Sequence, residues 1–144
     1  MNPKIQDLAF AVTLQQAKKA FAKDEVPIGA VIVKDGRIIA RSYNQTESKN
    51  SFLAHAEMLA IHSATKKLKS KYLTGCELYV SLEPCMMCRV AAKLCRIEAV
   101  HFLLPSEKFG KRGPGYRRIK IRQKKSSLTQ HAKEILQSFF LNRR

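Results

Sequence analysis

The chain has 144 residues, 45% of them hydrophobic, and carries 27 Lys and Arg against 11 Asp and Glu, a net charge of +16. This length predicts one domain, residues 1–144, with a sizeable core, and the hydrophobic fraction excludes an intrinsically disordered chain. No apolar run approaches the roughly 20 residues that cross a bilayer, and charged residues such as Lys4 and Asp7 interrupt any signal peptide. We therefore expect a cytoplasmic protein with no membrane partner, whose four cysteines are thiols or metal ligands rather than disulfides.

The first half of the chain predicts a helix, a hairpin and a second helix. Asn2 can cap a helix that has Pro3 at its first position and continues to about residue 22. Two β-branched runs, 28–33 and 38–43, are joined by an Asp-Gly turn and predict a hairpin. A polar loop then leads to a helix that runs from about residue 54 to about residue 67.

The second half continues the alternation of strands and helices. The pattern predicts strands at 78–82 and 99–104, a short edge strand at 118–122, and helices at 85–95 and 128–141. Strands that alternate with helices indicate an α/β fold, in which a sheet with at least one hairpin lies between helices.

Positive charge is concentrated towards the C-terminus. Residues 105–144 contain twelve Lys and Arg but only two Glu, a net charge of +10. Such a surface favours a polyanion as partner, because cations that neutralise phosphates release condensed counterions. A basic face can also serve solubility alone, but a pI near 10.1 favours nucleic acid.

Three residues have the types and spacing of metal ligands. Cys85 and Cys88 lie one helical turn apart at a predicted helix N-terminus, where the helix dipole favours thiolates, and His55 begins another predicted helix. Two thiolates and one imidazole suit one tetrahedral Zn²⁺ per chain. The predicted elements place Cys76 and Cys95 out of reach, which leaves a fourth position to water as in catalytic zinc sites.

Glu57 follows His55 by two residues and so does not share its helix face. In the first turn of a helix, however, side chains lean towards the N-terminus, so this carboxylate can approach a metal-bound water and exchange protons with it. We therefore predict Glu57 as the catalytic acid and base.

These motifs resemble those of a known family. His-x-Glu followed by Pro-Cys-x-x-Cys is the signature of the zinc-dependent deaminases. More narrowly, the chain resembles the TadA-like tRNA-specific adenosine deaminases of the cytidine/deoxycytidylate deaminase superfamily. The matching segments are Glu25-Val26-Pro27-Ile28-Gly29-Ala30, Asn44, Ala54-His55-Ala56-Glu57, Tyr79 to Cys88 and the ending Phe139-Phe140-x-x-Arg143-Arg144.

The resemblance implies a three-layer α/β/α cytidine-deaminase-like fold with a mixed sheet, a homodimer, and a zinc hydrolase that converts adenosine to inosine at the tRNA anticodon wobble position. It implies that His55, Cys85 and Cys88 hold zinc and that Glu57 moves the protons. Asn44, Ile28 and Ala56 would then bind the target nucleotide. The RNA contacts would come from the basic segment and the C-terminal helix, through Lys108, Lys111, Arg112, Phe140, Arg143 and Arg144.

Two other functions fit the same residues. A deaminase of a free base or nucleoside, such as guanine or cytosine, would use the same zinc site, although a small uncharged substrate has no use for a basic surface. A non-catalytic zinc and RNA-binding module would keep the ligands but would lose nothing when Glu57 is replaced.

Overall fold

The computed structural model describes residues 2–106, 120–124 and 126–141. Within these ranges the elements follow one another as predicted, and the starts of the second and third helices lie two residues and one residue later than predicted. In chain order they are α1 (Pro3–Ala22), β1 (Gly29–Lys34), β2 (Arg37–Tyr43), α2 (Ala56–Leu68), β3 (Cys76–Leu82), α3 (Met86–Leu94), β4 (Ala99–Leu104), β5 (Lys120–Gln123) and α4 (Leu128–Leu141).

The strands form one mixed sheet in the order β2-β1-β3-β4-β5. β1 pairs antiparallel with both β2 and β3, whereas β3, β4 and β5 run parallel. The turn between β1 and β2 has Asp35 and Gly36 at positive φ (50° and 72°), the combination that a tight type I′ hairpin requires. Residues 120–122 of the predicted edge strand lie in β5, which pairs with β4 alone among the described strands, and residues 118 and 119 lie outside the described residues.

Helices cover both faces of the sheet. α2 and α3 pack on one face over a core that includes Ile32, Leu78 and Val100, and we call this the site face. α1 and α4 pack on the other face over Val31, Tyr79 and Leu103, and we call this the α1/α4 face. Because successive side chains of a strand alternate between faces, each central strand supplies both cores. This three-layer α/β/α architecture with a mixed sheet confirms the predicted fold class.

The approach of α1 to the sheet depends on Gly29. A Cβ at this position would lie 2.0 Å from the carbonyl oxygen of Thr13 and 2.7 Å from the Cβ of Gln16. Any larger residue would therefore push α1 away from the start of β1. The structure contains no helix that is both long enough and apolar enough to cross a membrane, in the ranges it describes.

Candidate metal and substrate site

The register of the sheet brings separate motifs to one edge. β3 ends at Leu82, just before the Pro84–Cys88 segment, and Ala30 pairs with Val80 two residues earlier in that strand. Gly29 in turn pairs with Tyr43 at the end of β2. Residues that precede β1 or follow β2 therefore lie beside the carboxyl end of β3, the edge at which open α/β sheets bind ligands.

Two helix N-termini meet at this edge. His55 is the N-cap residue of α2 and Cys85 is the N-cap residue of α3, and neither side chain makes a capping hydrogen bond. Cys88 lies in the first turn of α3 and is fully buried. Because neither side chain caps its helix, the two can face each other. The positive ends of both helix dipoles lie at this point, and they favour thiolates.

The three side chains form a compact group. His55 Nδ1 lies 3.6 Å from Cys85 Sγ and 3.5 Å from Cys88 Sγ, and the two sulfurs are 3.7 Å apart. Among the residues that the structure describes, these three form the one cluster of at least three side chains placed to hold a metal ion. Cys76 and Cys95, which the spacing placed out of reach, are not members of it.

The two thiols influence each other's pKa. The hydrogen bond with Cys88 lowers the pKa of Cys85 to about 4, with a further contribution from His55. The same contact and burial raise the pKa of Cys88, while the hydrogen bond with Cys85 raises the pKa of His55. Charge on one sulfur is thus stabilised by its neighbours, which is the environment that a thiolate ligand needs.

Glu57 lies in the first turn of α2 and is only 3% exposed. Burial raises the pKa of its carboxyl group, and the backbone N–H of Glu57, the charge of His55 and a hydrogen bond with the Cys88 thiol oppose that shift. The carboxylate therefore lies against the thiol group but outside the three-residue cluster. Glu57 thus lies beside the three candidate ligands and is not one of them.

The predicted nucleotide-binding residues lie around the same edge. Asn44 is 4% exposed, its backbone N–H donates to the carbonyl of Ile28 at 3.0 Å, and its Oδ1 has no hydrogen-bond partner among the described residues. Ile28 is half-buried against the site-face core, and Ala56 is fully buried within it. The structure brings Asn44 and Ile28 together, whereas Ala56 contributes to packing.

Of the six residues predicted to contact RNA, the structure describes one. Phe140 lies on α4 and is 55% exposed. The other five, Lys108, Lys111, Arg112, Arg143 and Arg144, lie outside the described residues.

The structure adds a buried ion pair that sequence reasoning missed. Arg89 in α3 donates from Nη2 to Glu83 Oε2 at 2.5 Å and from Nε to the carbonyl of Pro84 at 2.9 Å. The other Glu83 oxygen accepts the backbone N–H of Ser106 at 3.1 Å. This pair fixes the segment that enters α3 and so orients Cys85. Opposite charges six residues apart on different elements carry no sequence signal.

A second missed feature is an exposed aromatic side chain next to the metal ligands. Phe52 is 88% exposed, three residues before His55, and the neighbouring Leu53 is 64% exposed. Their turn is ordered by hydrogen bonds from the N–H of Leu53 to Ser51 Oγ at 3.2 Å and from the N–H of Ala54 to the carbonyl of Ser51 at 3.1 Å. The polar loop assigned from the sequence thus presents an apolar side chain to solvent.

Known proteins are similar to this chain in sequence and in fold. The family model described as MafB19-like deaminase matches residues 6–144. A curated tRNA-specific adenosine deaminase of Aquifex aeolicus (strain VF5) is 54% identical over 99 residues, which are 69% of this chain. That match spans 66% of the relative, slightly less than two thirds of its length.

Two solved structures extend the likeness. One, from a study of A-to-I editing by tRNA:A34 deaminases at the wobble position of transfer RNA, has a TM-score of 0.78 at 37% identity and covers 83% of this chain and 98% of its own. A guanine deaminase from Bacillus subtilis has a TM-score of 0.69 at 30% identity, over 96% and 95% of the two chains. The chain therefore belongs to the MafB19-like deaminases, in the group of the tRNA-specific adenosine deaminases.

Proposed function

We propose that this protein is a zinc-dependent hydrolase that converts adenosine to inosine in tRNA, at the wobble position of the anticodon. The observation that carries the proposal is the group formed by His55, Cys85 and Cys88 with Glu57 buried against it. The names of the relatives support tRNA as the substrate. The same proposal treats residues 1–144 as one deaminase domain and places the enzyme in the cytoplasm with its substrate.

The donor set fits zinc. Zn–S bonds of about 2.3 Å and Zn–N bonds of about 2.0–2.1 Å at tetrahedral angles give S–S edges of about 3.8 Å and S–N edges of about 3.6 Å. The observed separations are 3.7 Å between the sulfurs and 3.5–3.6 Å from each sulfur to His55 Nδ1. One Zn²⁺ would therefore be held by His55, Cys85 and Cys88 without rearrangement of their side chains.

When bound, zinc supplies Lewis acidity that lowers the pKa of water towards about 7. Glu57 moves the protons that hydrolysis requires, because adenosine and water must become inosine and ammonia. Its carboxylate takes one proton from the attacking water and delivers it to N1 of the adenine ring as the water oxygen bonds to C6. It then takes the second proton from the C6 hydroxyl and delivers it to the amino group, which leaves as ammonia when the C6–N bond breaks. Its burial excludes bulk water, which would otherwise compete for these protons.

Asn44 and Ile28 hold the target nucleoside in this proposal. The Oδ1 atom of Asn44 is a buried acceptor without a partner among the described residues, a state that costs free energy unless a ligand donor satisfies it. Ile28 offers an apolar wall beside it, and Ala56 supports that wall from beneath. A base in an unpaired anticodon loop leaves its stack at a lower free-energy cost than a base in a duplex.

The RNA contacts are proposed around this pocket. Phe140 and the basic residues named from the sequence would bind the anticodon stem-loop, and Phe52 would stack on an unpaired base beside the target, as exposed aromatics do in single-stranded RNA recognition. Binding should weaken with salt by about 0.7 log units per log unit of salt for each single-stranded phosphate contacted. A salt-insensitive affinity would contradict the basic surface as the RNA face.

A homodimer is part of the proposal, and α3 offers its interface. Met86, Val90 and Leu94 recur at helical spacing and are 48%, 38% and 70% exposed. This uncharged stripe is a surface on which two copies of a chain with net charge +16 can meet without placing like charges in direct contact. Light scattering should give twice the chain mass at micromolar concentration and the chain mass for Leu94→Asp. A monomeric wild type would refute the dimer.

The alternative with a specific observation behind it is a guanine deaminase, given the 30% identity to the Bacillus subtilis enzyme. The zinc-loaded protein should be incubated separately with an anticodon stem-loop bearing wobble adenosine, with the same loop bearing guanosine there, and with free guanine, cytosine and adenosine. We expect inosine only in the adenosine stem-loop, read by sequencing. Ammonia release only from free guanine would establish this alternative, release only from free cytosine or adenosine would indicate a deaminase of that compound, and no turnover at all would favour a non-catalytic RNA-binding module.

A further inference from the structure

Glu25 is a buried carboxylate that the proposed chemistry does not use. It follows the end of α1, where the N–H of Glu25 itself donates to the carbonyl of Ala20 at 2.9 Å. The residue is 1% exposed, which is costly for a carboxylate unless polar partners replace the lost water. A buried carboxylate at this position therefore needs a structural or functional reason.

The contacts of Glu25 supply that reason. Its Oε1 accepts the backbone N–H of Glu47 at 2.9 Å, and its Oε2 accepts the backbone N–H of Ser48 at 2.7 Å. These two donors lie in the loop between β2 and α2, more than twenty residues away along the chain. Each of the two N–H groups meets a different oxygen of this side chain, an arrangement that a carboxylate provides and an amide, with a single oxygen, does not.

The same loop carries Asn44 and leads to His55. The N–H of Asn44 donates to the carbonyl of Ile28 at 3.0 Å, and the N–H of Gln45 donates to the carbonyl of Ala54 at 2.9 Å. The loop is thus fixed on one side to the 25–28 segment and on the other to the residue before the metal ligand. Glu25 secures the part of the loop that follows Asn44, where no strand pairing is present to hold it.

We propose that Glu25 is a positioning residue that holds the loop carrying Asn44 and thereby aims the Asn44 amide at the target nucleoside. The inference rests on the proposed function, since that assigns Asn44 to the substrate. Glu25 itself touches neither the metal ligands nor the base in this proposal. Its contribution to the reaction passes through the loop backbone.

The test is a double-mutant cycle between Glu25 and Asn44, with kcat/KM on the adenosine stem-loop as the readout. Glu25→Gln places an amide N–H₂ against a backbone donor and should lower kcat/KM by about 10²-fold, the typical cost of a misplacement near 1 Å. In the Asn44→Ala background the same change should cost less than about threefold, because the group it positions is gone. Glu98→Gln, at an exposed glutamate on the opposite edge of the sheet, is the matched control and should leave kcat/KM unchanged.

Amide hydrogen exchange gives a readout that does not depend on activity. Glu25→Gln should accelerate exchange at Glu47 and Ser48 and leave the Cys85–Cys88 turn and the zinc content unchanged. An equal loss of kcat/KM in both backgrounds, or unaltered exchange at Glu47 and Ser48, would overturn the positioning role. A wild type that makes no inosine would refute the proposed function instead, and the exchange data would still decide whether Glu25 holds the loop.

Discussion

The two faces of the sheet both carry polar side chains that are buried or half-buried, but they place them differently. On the site face these groups come from the ends of elements: His55 and Cys85 are N-cap residues and Asn44 follows a strand. On the α1/α4 face Glu77, Tyr79 and His101 come from within strands. There, His101 stacks on the Tyr79 ring at a centroid distance of 4.7 Å and lies 3.2 Å from Glu77.

This difference explains why, among the described residues, the side chains suited to chemistry gather on the site face. Side chains within a strand have neighbours on both sides along the ladder and a helix above, so they pack against one another, as His101 does with Tyr79 and Glu77. Side chains at the ends of elements converge from several directions, and the sheet edge leaves room for a ligand. Changes on the site face should therefore alter turnover with little effect on stability, and changes on the α1/α4 face should do the reverse.

The largest effect is expected from Glu57→Gln on the site face. The amide keeps the volume of the buried side chain but cannot exchange protons, so kcat should fall by about 10²–10⁴-fold, the usual contribution of a general acid and base. Zinc content, measured by atomic emission, and the thermal midpoint should remain close to wild type. Retained turnover would remove Glu57 from the proposed mechanism.

The converse change is Phe10→Ala on the α1/α4 face. Phe10 is 1% exposed and meets the Tyr79 ring edge-on at 5.1 Å. Its truncation should lower the free energy of unfolding by about 3–5 kcal/mol in urea titrations. At a temperature where the variant is still folded, kcat and zinc content should match wild type. A comparable loss of kcat in the folded variant would show that the two faces are not independent.

Phe52→Ala is the matched substitution on the rim of the site. This side chain is 88% exposed, so its removal should leave the urea midpoint unchanged, in contrast to Phe10→Ala. Loss of a base stack should weaken stem-loop binding by about 1–3 kcal/mol, measured by fluorescence anisotropy. Phe52→Trp should restore the affinity. Wild-type affinity in Phe52→Ala would exclude stacking, and a change of oligomeric state would assign the side chain to an interface between copies.

The smallest effect is a pH dependence of stability from His101. Burial, together with Arg122 and Lys124, lowers the pKa of this imidazole, and the hydrogen bond with Glu77 opposes the shift. Since the folded pKa lies below the unfolded value near 6.5, the unfolded chain binds the proton first. The contribution of neutral His101 is then complete above about pH 6.5 and is lost as the pH falls through the folded pKa.

Urea unfolding of wild type and His101→Gln between pH 5 and pH 8 isolates this contribution. The difference in free energy of unfolding between the two proteins should shrink on acidification, while kcat at neutral pH should be the same. A constant difference would mean that the protonation of His101 is not coupled to folding.

Much of the fold could be predicted because its signals are local. Helix α1 has its cap at Asn2 and Pro3, the hairpin has an Asp-Gly turn, and the strands are short β-branched runs bounded by polar residues. These patterns act within a few residues, so one sequence is enough to read them. The sequence predicts the start of α2 two residues early and the start of α3 one residue early, because the candidate ligands His55 and Cys85 are themselves the N-cap residues of these helices.

The sequence by itself determined the chemistry of the ligand set, since an imidazole and two thiols one helical turn apart have few uses other than binding a metal. Only the tertiary structure decided which distant groups serve it. Glu25 accepts hydrogen bonds from a loop more than twenty residues away, and the backbone of Asn44 meets that of Ile28 through sheet register. Such pairings depend on strand order and crossover, which are set by the packing of the whole chain and leave no local pattern to read.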